Sequence, residues 1–238
     1  MKQAAIIIPT TGADTVWQAV DSAISQTYEN TKVYLVSDGI EHSKKVVSKT
    51  IFKNFGKNLV EYYLPENTGA NGQNGHRIYS AFSFLVNADY ILYLDQDCWF
   101  DKNHVESCIN KIESDDLDWS YSLRKIVSKE GEYICNDDCE SLGKYSTVFN
   151  YKLCDTSTYC IKREVAMMVA PYFVGGWGHD RRYFQVLSDN FKKFDCSGEY
   201  TLNYRLGGDN NLTGEFWEFW NKESENHYNG KYPWRNNG

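Results

Sequence analysis

Apolar positions fall into two alternating patterns along the first hundred residues. "AAIIIP" is an unbroken apolar run closed by Pro9, the pattern of a strand buried on both faces. "TVWQAVDSAISQ" then places Val16, Ala19, Val20, Ala23 and Ile24 at helical spacing. "KVYLVSD" reads as a second strand, and "SKKVVSKTIFKNF" as a helix with Val46, Val47, Ile51 and Phe55 on one side. "LVEYYL" is a third strand, residues 75–86 a third helix, and "DYILYLD" a fourth strand. Such alternation with short connections predicts an α/β fold, a parallel sheet with helices on both faces. Ligands of these sheets bind beyond the carboxyl ends of the strands.

The second half is less regular. "DWSYSLRKIVSKEGEYI" predicts a hairpin turning at Lys129 to Glu132. "TSTYCIKREVAMMVAPYF" reads as a short strand and a helix ended by Pro171, and "GGWGHDRRYFQVLSDN" as a glycine-rich loop entering a helix near Asp180. "KKFDC" and "YTLNYRL" are two candidate strands. The tail from Thr213 starts as an aromatic helix and ends as a polar, mobile segment. No repeat, linker or low-complexity tract divides the chain, which predicts one domain over 1–238.

The predicted strand ends carry the candidate chemistry. Pro9, Thr10 and Thr11 follow strand one, and Asp38 closes strand two in an Asp-Gly pair. Strand three leads into "PENTGANGQNGHR", with Asn71, His76 and Arg77, whose glycines would let backbone N–H groups approach an anion at a helix start. Strand four ends in Asp95, Gln96, Asp97, two carboxylates suited to a hard divalent cation. Each has a plainer reading: a helix cap for Asp97 or Asp101, an ordinary turn for Asp38, a flexible loop around Asn71. Asp180, after a loop containing Trp177, is a candidate general base or another cap, with His179 an alternative base. Arg181 and Arg182 are phosphate partners or exposed helix residues. The loop at residues 65–77 has neither GxxxxGK[ST] nor GxGxxG, which excludes both of those phosphate motifs.

Composition narrows the class. A net charge of −7 argues against a general nucleic-acid binder. Seven cysteines at irregular spacing predict reduced thiols in the cytoplasm, with a zinc site at Cys135, Cys139, Cys154 and Cys160 as the lesser reading. No apolar run approaches the about 18 residues of a membrane span, and Pro9 closes the N-terminal run too early for a signal peptide.

In order and spacing, "AAIIIPTTG", "QAVDSAISQTY", "VYLVSDG", "ENTGANGQNGHRIYSAF", "YILYLDQDCWF", "YCIKREVA" and "GGWGHDRRYF" make the chain resemble the family 2 glycosyltransferases. The resemblance covers residues 4 to about 187. It implies the GT-A fold, a Rossmann-like, mostly parallel sheet flanked by helices, with a smaller mixed sheet on the acceptor side. Residues 1–100 would form the nucleotide-sugar-binding half, 101–213 the acceptor-side half and 214–238 a C-terminal tail. It also implies roles. Pro9, Thr10, Thr11 and Asp38 would surround the base, Asn71, His76 and Arg77 would lie near base or diphosphate, and Asp95 and Gln96 near the ribose. Asp97, with Asp95, would ligate Mn²⁺ or Mg²⁺, Trp177 would help bind the nucleotide-sugar, and Asp180 would deprotonate an acceptor hydroxyl. The donor would be a nucleotide-diphospho-sugar, a UDP-sugar favoured, and the acceptor a saccharide or glycoconjugate. Relatives often add a histidine metal ligand from the C-terminal region, where only His227 is available. The absence of QxxRW favours single-sugar transfer over polymer synthesis.

Two other functions fit parts of the pattern. A sugar-phosphate nucleotidyltransferase shares the sheet and metal logic, but "PTTGADT" lacks the basic residue it normally needs. A non-catalytic carbohydrate-binding module would use Trp99, Trp177 and Trp217 as stacking platforms.

Overall fold

A computed structural model describes residues 1–41, 58–175, 178–207 and 212–235. The expected helix at 43–55 and the Trp177 side chain lie outside the described residues. Strands β1 (Ala4–Thr10), β2 (Thr31–Ser37), β3 (Leu59–Tyr63) and β4 (Tyr90–Tyr93) pair in parallel in the order β3-β2-β1-β4. Helix α1 (Val16–Ile24) follows β1, and α2 (His76–Leu85) precedes β4. Every residue of β1 is buried, and its side chains alternate between two cores. Ala4, Ile6 and Ile8 face α1 and α3 (His104–Ser114), while Ala5 and Ile7 pack with α2. A strand that must be apolar on both faces reads as an uninterrupted apolar run.

The sheet continues past β4 without a break. β8 (Tyr159–Lys162) is antiparallel both to β4 and to β6 (Trp119–Val127) on its other side, β9 (Phe194–Arg205) is parallel to β6, and β5 (Trp99–Phe100) closes the far edge. β7 (Tyr133–Asn136) completes the expected hairpin with β6. Among the described residues, the mixed acceptor-side strands and the parallel strands thus form one nine-stranded sheet. Helices α4 (Arg163–Val169) and α5 (His179–Asn190) join α2 on one face. Among the described residues, no helix is long and apolar enough to cross a membrane.

Two expectations are corrected here. The candidate strands "KKFDC" and "YTLNYRL" are one strand, because the intervening Ser197–Gly198 lies within β9, where Gly198 has φ 81° and the pairing with β6 shifts register. A bulge keeps a strand continuous across a residue that reads as a breaker. The tail is anchored, at least through Arg235. After α6 (Gly214–Tyr228), the chain turns back and buries Trp234 to 2% exposure. The indole packs on Tyr228 and Tyr232, and its N–H donates to Asp138 at 2.8 Å.

Candidate active site

In the order β3-β2-β1-β4 the direction of winding reverses between β1 and β4, so a crevice opens at their carboxyl ends. Gln96 spans it. Its Oε1 accepts from Thr10 Oγ1 at 2.8 Å and the Thr11 N–H at 3.0 Å, and its Nε2 donates to Thr11 Oγ1 at 3.2 Å. The middle residue of the Asp-Gln-Asp turn therefore fixes the two flanking carboxylates relative to the end of β1.

Asp95 and Asp97 are both half-buried. Tyr79, from α2, donates to Asp95 Oδ1 at 2.7 Å, and Ser157 Oγ accepts the Asp95 N–H at 3.0 Å. Burial, then the charges of Asp97 and Asp155, push the Asp95 carboxyl up to about 7. Arg205, from β9, holds the Asp97 carbonyl with Nε at 3.0 Å. The capping alternative is not realised. Asn103 precedes α3, and the Asp101 carboxylate instead takes Lys125 Nζ at 2.5 Å and Asn203 Nδ2 at 2.9 Å.

Asp38 is buried, and its carboxylate accepts the N–H of Thr68 at 2.7 Å, the Thr68 hydroxyl at 2.8 Å and the N–H of Gly69 at 2.8 Å. The anion met by this glycine-containing loop is thus a side chain of the protein itself. Gly69 is required by proximity, since a Cβ there would lie 2.8 Å from Asp38 Oδ2 and 2.3 Å from the Asn74 carbonyl oxygen. Gly75 likewise lets α2 start against Pro9, whose Cγ would be 2.8 Å from an added Cβ. Asn71 is exposed in the left-handed region at φ 61°, and Arg77, also exposed, donates to the Thr68 carbonyl at 3.2 Å.

His76 and Asp180 start two helices that meet at this edge. His76 is buried, and desolvation lowers its pKa despite the opposing pull of Asp180 and a hydrogen bond with the Gly175 backbone. The His179 ring lies on Gly175 so closely that a Cβ there would fall 1.9 Å from a ring atom. Among the described residues, Nδ1 of both histidines is buried with no hydrogen-bond partner. Asp180 is in the first turn of α5 rather than at its cap, which is Gly178 at φ 84°, and its Oδ1 accepts the Arg181 N–H at 2.8 Å.

The sequence reading missed the group behind these residues. Arg124, on β6, is 3% exposed and reaches Asp137 at 2.7 Å, Glu140 at 2.5 Å and Asp155 at 2.7 Å. Its guanidinium lies between the rings of Tyr204, at 4.4 Å, and Trp217, at 5.0 Å. Burial works against the charge of Arg124, but the three carboxylates hold it well above its ordinary pKa. Burial raises Asp155 even so, and the Asp180 charge adds to the rise. For Asp137, Arg124 and the N–H groups of Ser141, Cys139 and Glu140 outweigh burial and lower it. Tyr79, which donates to Asp95, packs on Phe173 at 5.7 Å, and Phe173 stacks on Tyr183 of α5 at 3.6 Å, so one aromatic cluster braces both the acidic turn and the first turns of α5. A signal was present: a lone arginine in the alternating strand "WSYSLRKIV" needs a partner, and "CNDDCE" follows the facing strand.

Three other readings change. Trp217 is fully buried beneath Arg124 and is no stacking platform, while Trp99 lies under the Arg205 guanidinium at 4.8 Å. All seven cysteines are free thiols, and among the described residues no three His, Cys, Asp or Glu side chains converge on a metal position, so the four-cysteine zinc site is not formed. His227, the histidine available in the C-terminal region, lines a cavity with Thr147 and Trp220.

Comparison with known proteins completes the picture. Residues 5–160 match the family model described as Glycosyl transferase family 2. An uncharacterised glycosyltransferase of Rickettsia typhi is 29% identical over 116 residues, 47% of this chain and 33% of that protein. One of Rickettsia bellii is 29% identical over 133 residues, 54% of this chain and 18% of that protein. The chain thus spans a third or less of the length of these relatives. Among solved structures, S. aureus TarS 1-349 in complex with UDP-GlcNAc superposes with a TM-score of 0.66 at 15% identity, covering 87% of this chain and 60% of that one. At that identity the likeness shows a shared fold.

Proposed function

Since the chain belongs to glycosyltransferase family 2, we propose that it is a metal-dependent, inverting transferase that moves a single sugar from a nucleotide-diphospho-sugar to an acceptor hydroxyl. One observation carries this reading: Tyr79 donates to Asp95 and packs on Phe173, which stacks on Tyr183 in the same helix as Asp180, so the donor-side carboxylates and the candidate base are mounted on one aromatic frame. A UDP-sugar is the favoured donor, because the structurally similar TarS fragment is described with UDP-GlcNAc and with UDP. The reducing cytoplasm is the inferred compartment, in keeping with seven free thiols.

In this reading Thr10, Thr11 and Asp38 border the base, and Arg77 lies beside the diphosphate. Asp180 takes the acceptor proton as the acceptor oxygen bonds to the anomeric carbon. The bond from that carbon to the diphosphate oxygen breaks on the opposite side, which inverts the centre. His76, kept neutral by burial, can hold a hydrogen bond beside Asp180 without adding a competing positive charge. Asp97 and Asp95 would hold Mn²⁺ or Mg²⁺. They fit such an ion, because oxygen donors suit a hard cation and a carboxyl raised by burial and then by neighbouring negative charge ionises more readily beside one. When bound, the ion would offset the charge gathering on the departing nucleoside diphosphate.

The test is incubation with UDP-, GDP- and dTDP-sugars, with and without Mn²⁺, while nucleoside diphosphate release is followed. Release that EDTA and Asp97→Asn both abolish is the expected result. Pyrophosphate as product would identify a nucleotidyltransferase, and silence with every donor would count against transfer.

A further inference from the structure

Beyond the catalytic crevice, the acceptor half carries a cavity of about 450 Å³ between residues 147–150 and the outer side of α6. Thr147, Asn150, Trp220, Glu223, Asn226 and His227 line it. The Trp220 indole gives it an aromatic wall, and neighbouring rings hold that indole: Phe149 packs on it at 4.7 Å and lies parallel to Phe216 at 6.2 Å, and Phe219, 58% exposed, adjoins it at 5.1 Å. Its rim is polar. Among the described residues, no hydrogen bond occupies the side chains of Asn150, Glu223 or Asn226. An indole wall with amides and a carboxylate around it is the chemistry that takes a sugar, whose C–H face stacks on an aromatic while its hydroxyls find donors and acceptors. A purely apolar ligand would leave that rim unsatisfied.

The cavity is joined to the catalytic edge by a line of rings. Arg181, next to Asp180, lies 4.9 Å from the Tyr151 ring, Tyr151 stacks on Phe149 at 5.6 Å, and Phe149 meets Trp220. Glu140 accepts from the Tyr151 hydroxyl at 2.8 Å and from Arg124 at 2.5 Å, so this line is braced by the buried charge cluster.

We propose that this cavity is a distal saccharide subsite, and that the acceptor is therefore an extended glycan whose far sugar rests on Trp220 while its reacting hydroxyl meets Asp180. The proposal rests on the transferase reading for the second half of that statement only. Binding of the protein, without donor, to an array of defined oligosaccharides tests it. Wild type should bind a set of glycans of two or more sugars. Trp220→Ala should weaken the best of them by about tenfold and Trp220→Phe by far less, while donor hydrolysis to nucleoside diphosphate stays unchanged. Asn226→Ala, at an exposed position, should also weaken binding, and equal thermal midpoints would separate a lost contact from lost folding. A silent array, or glycan binding indifferent to both alanine variants, overturns the subsite. Glycan binding that depends on Trp220 in a protein that consumes no donor keeps the subsite and overturns the transferase.

Discussion

At the carboxyl edge of β1 and β4, Asp95, Gln96 and Asp97 stand partly in solvent, held by a few hydrogen bonds from Thr10, Thr11, Tyr79 and Arg205. Under β6, Arg124 is 3% exposed and meets three carboxylates and two rings. Both regions concentrate acidic residues, yet they do opposite work. In the first, half-buried carboxylates stand at a strand-end crevice, where a ligand can reach them. In the second, each guanidinium nitrogen already holds a buried or nearly buried carboxylate, and the cluster stiffens the frame on which the first is mounted. An acidic cluster can serve as a reactive site only where a ligand can reach it.

The largest effect expected is on the reactive side. Asp180→Asn should lower turnover by about 10²–10⁴-fold with an unchanged urea midpoint, because a positioned base contributes on that scale. A mutant that keeps its rate removes Asp180 from the chemistry. Arg124→Met should instead cost about 3–5 kcal/mol of unfolding free energy, since Asp137, Glu140 and Asp155 would lose their cation while buried. Urea denaturation measures this, and a loss below about 1 kcal/mol would break the contrast between the two regions, as exposed pairs are worth no more.

Gln96→Ala should sit between the two classes. Each lost hydrogen bond costs about 1 kcal/mol, and with the bracket gone donor KM should rise while the remaining fold persists. Equal KM values would show that the Asp95–Asp97 turn holds its place unaided. The smallest effect is in pH dependence. The folded protein keeps the Asp95 proton up to about 7, against an ordinary value of 3.8. Unfolding releases that proton more easily, so this group's contribution to stability falls as pH rises between those two values and is constant above them. Asp95→Asn should remove that slope from the thermal midpoint. Mn²⁺ should raise the wild-type midpoint more above the Asp95 pKa than below it.

The same contrast explains what was legible in the sequence. β1, β2 and β4 are buried on both faces, so their apolar runs announce them, and topology then gathers the residues at their ends. Arg124 and its partners lie on β6, after β7 and before β8, and no local period joins residues 124, 137, 140 and 155. Asp38 was visible as a strand-end carboxylate, but its grip on Thr68 and Gly69 depends on how the following loop folds back. The anchored tail was misread because Lys231, Pro233 and Arg235 are exposed, while the buried Trp234 between them has no periodic neighbours. The four-cysteine zinc reading failed for the opposite reason: proximity in sequence is not convergence in space.

Trp234 also sets an order of events. Its indole N–H, the Tyr200 hydroxyl and the Arg235 guanidinium all close on Asp138, whose partner in the first of these contacts lies 96 residues further along the chain. As a ribosome delivers the chain from its N-terminus, the parallel strands can assemble early, but the hairpin corner at Asp138 must wait for Trp234 and Arg235 to emerge. The acceptor half is therefore finished only after Arg235 has emerged, and a nascent chain stalled before Trp234 would present a formed donor crevice beside an unsealed partner.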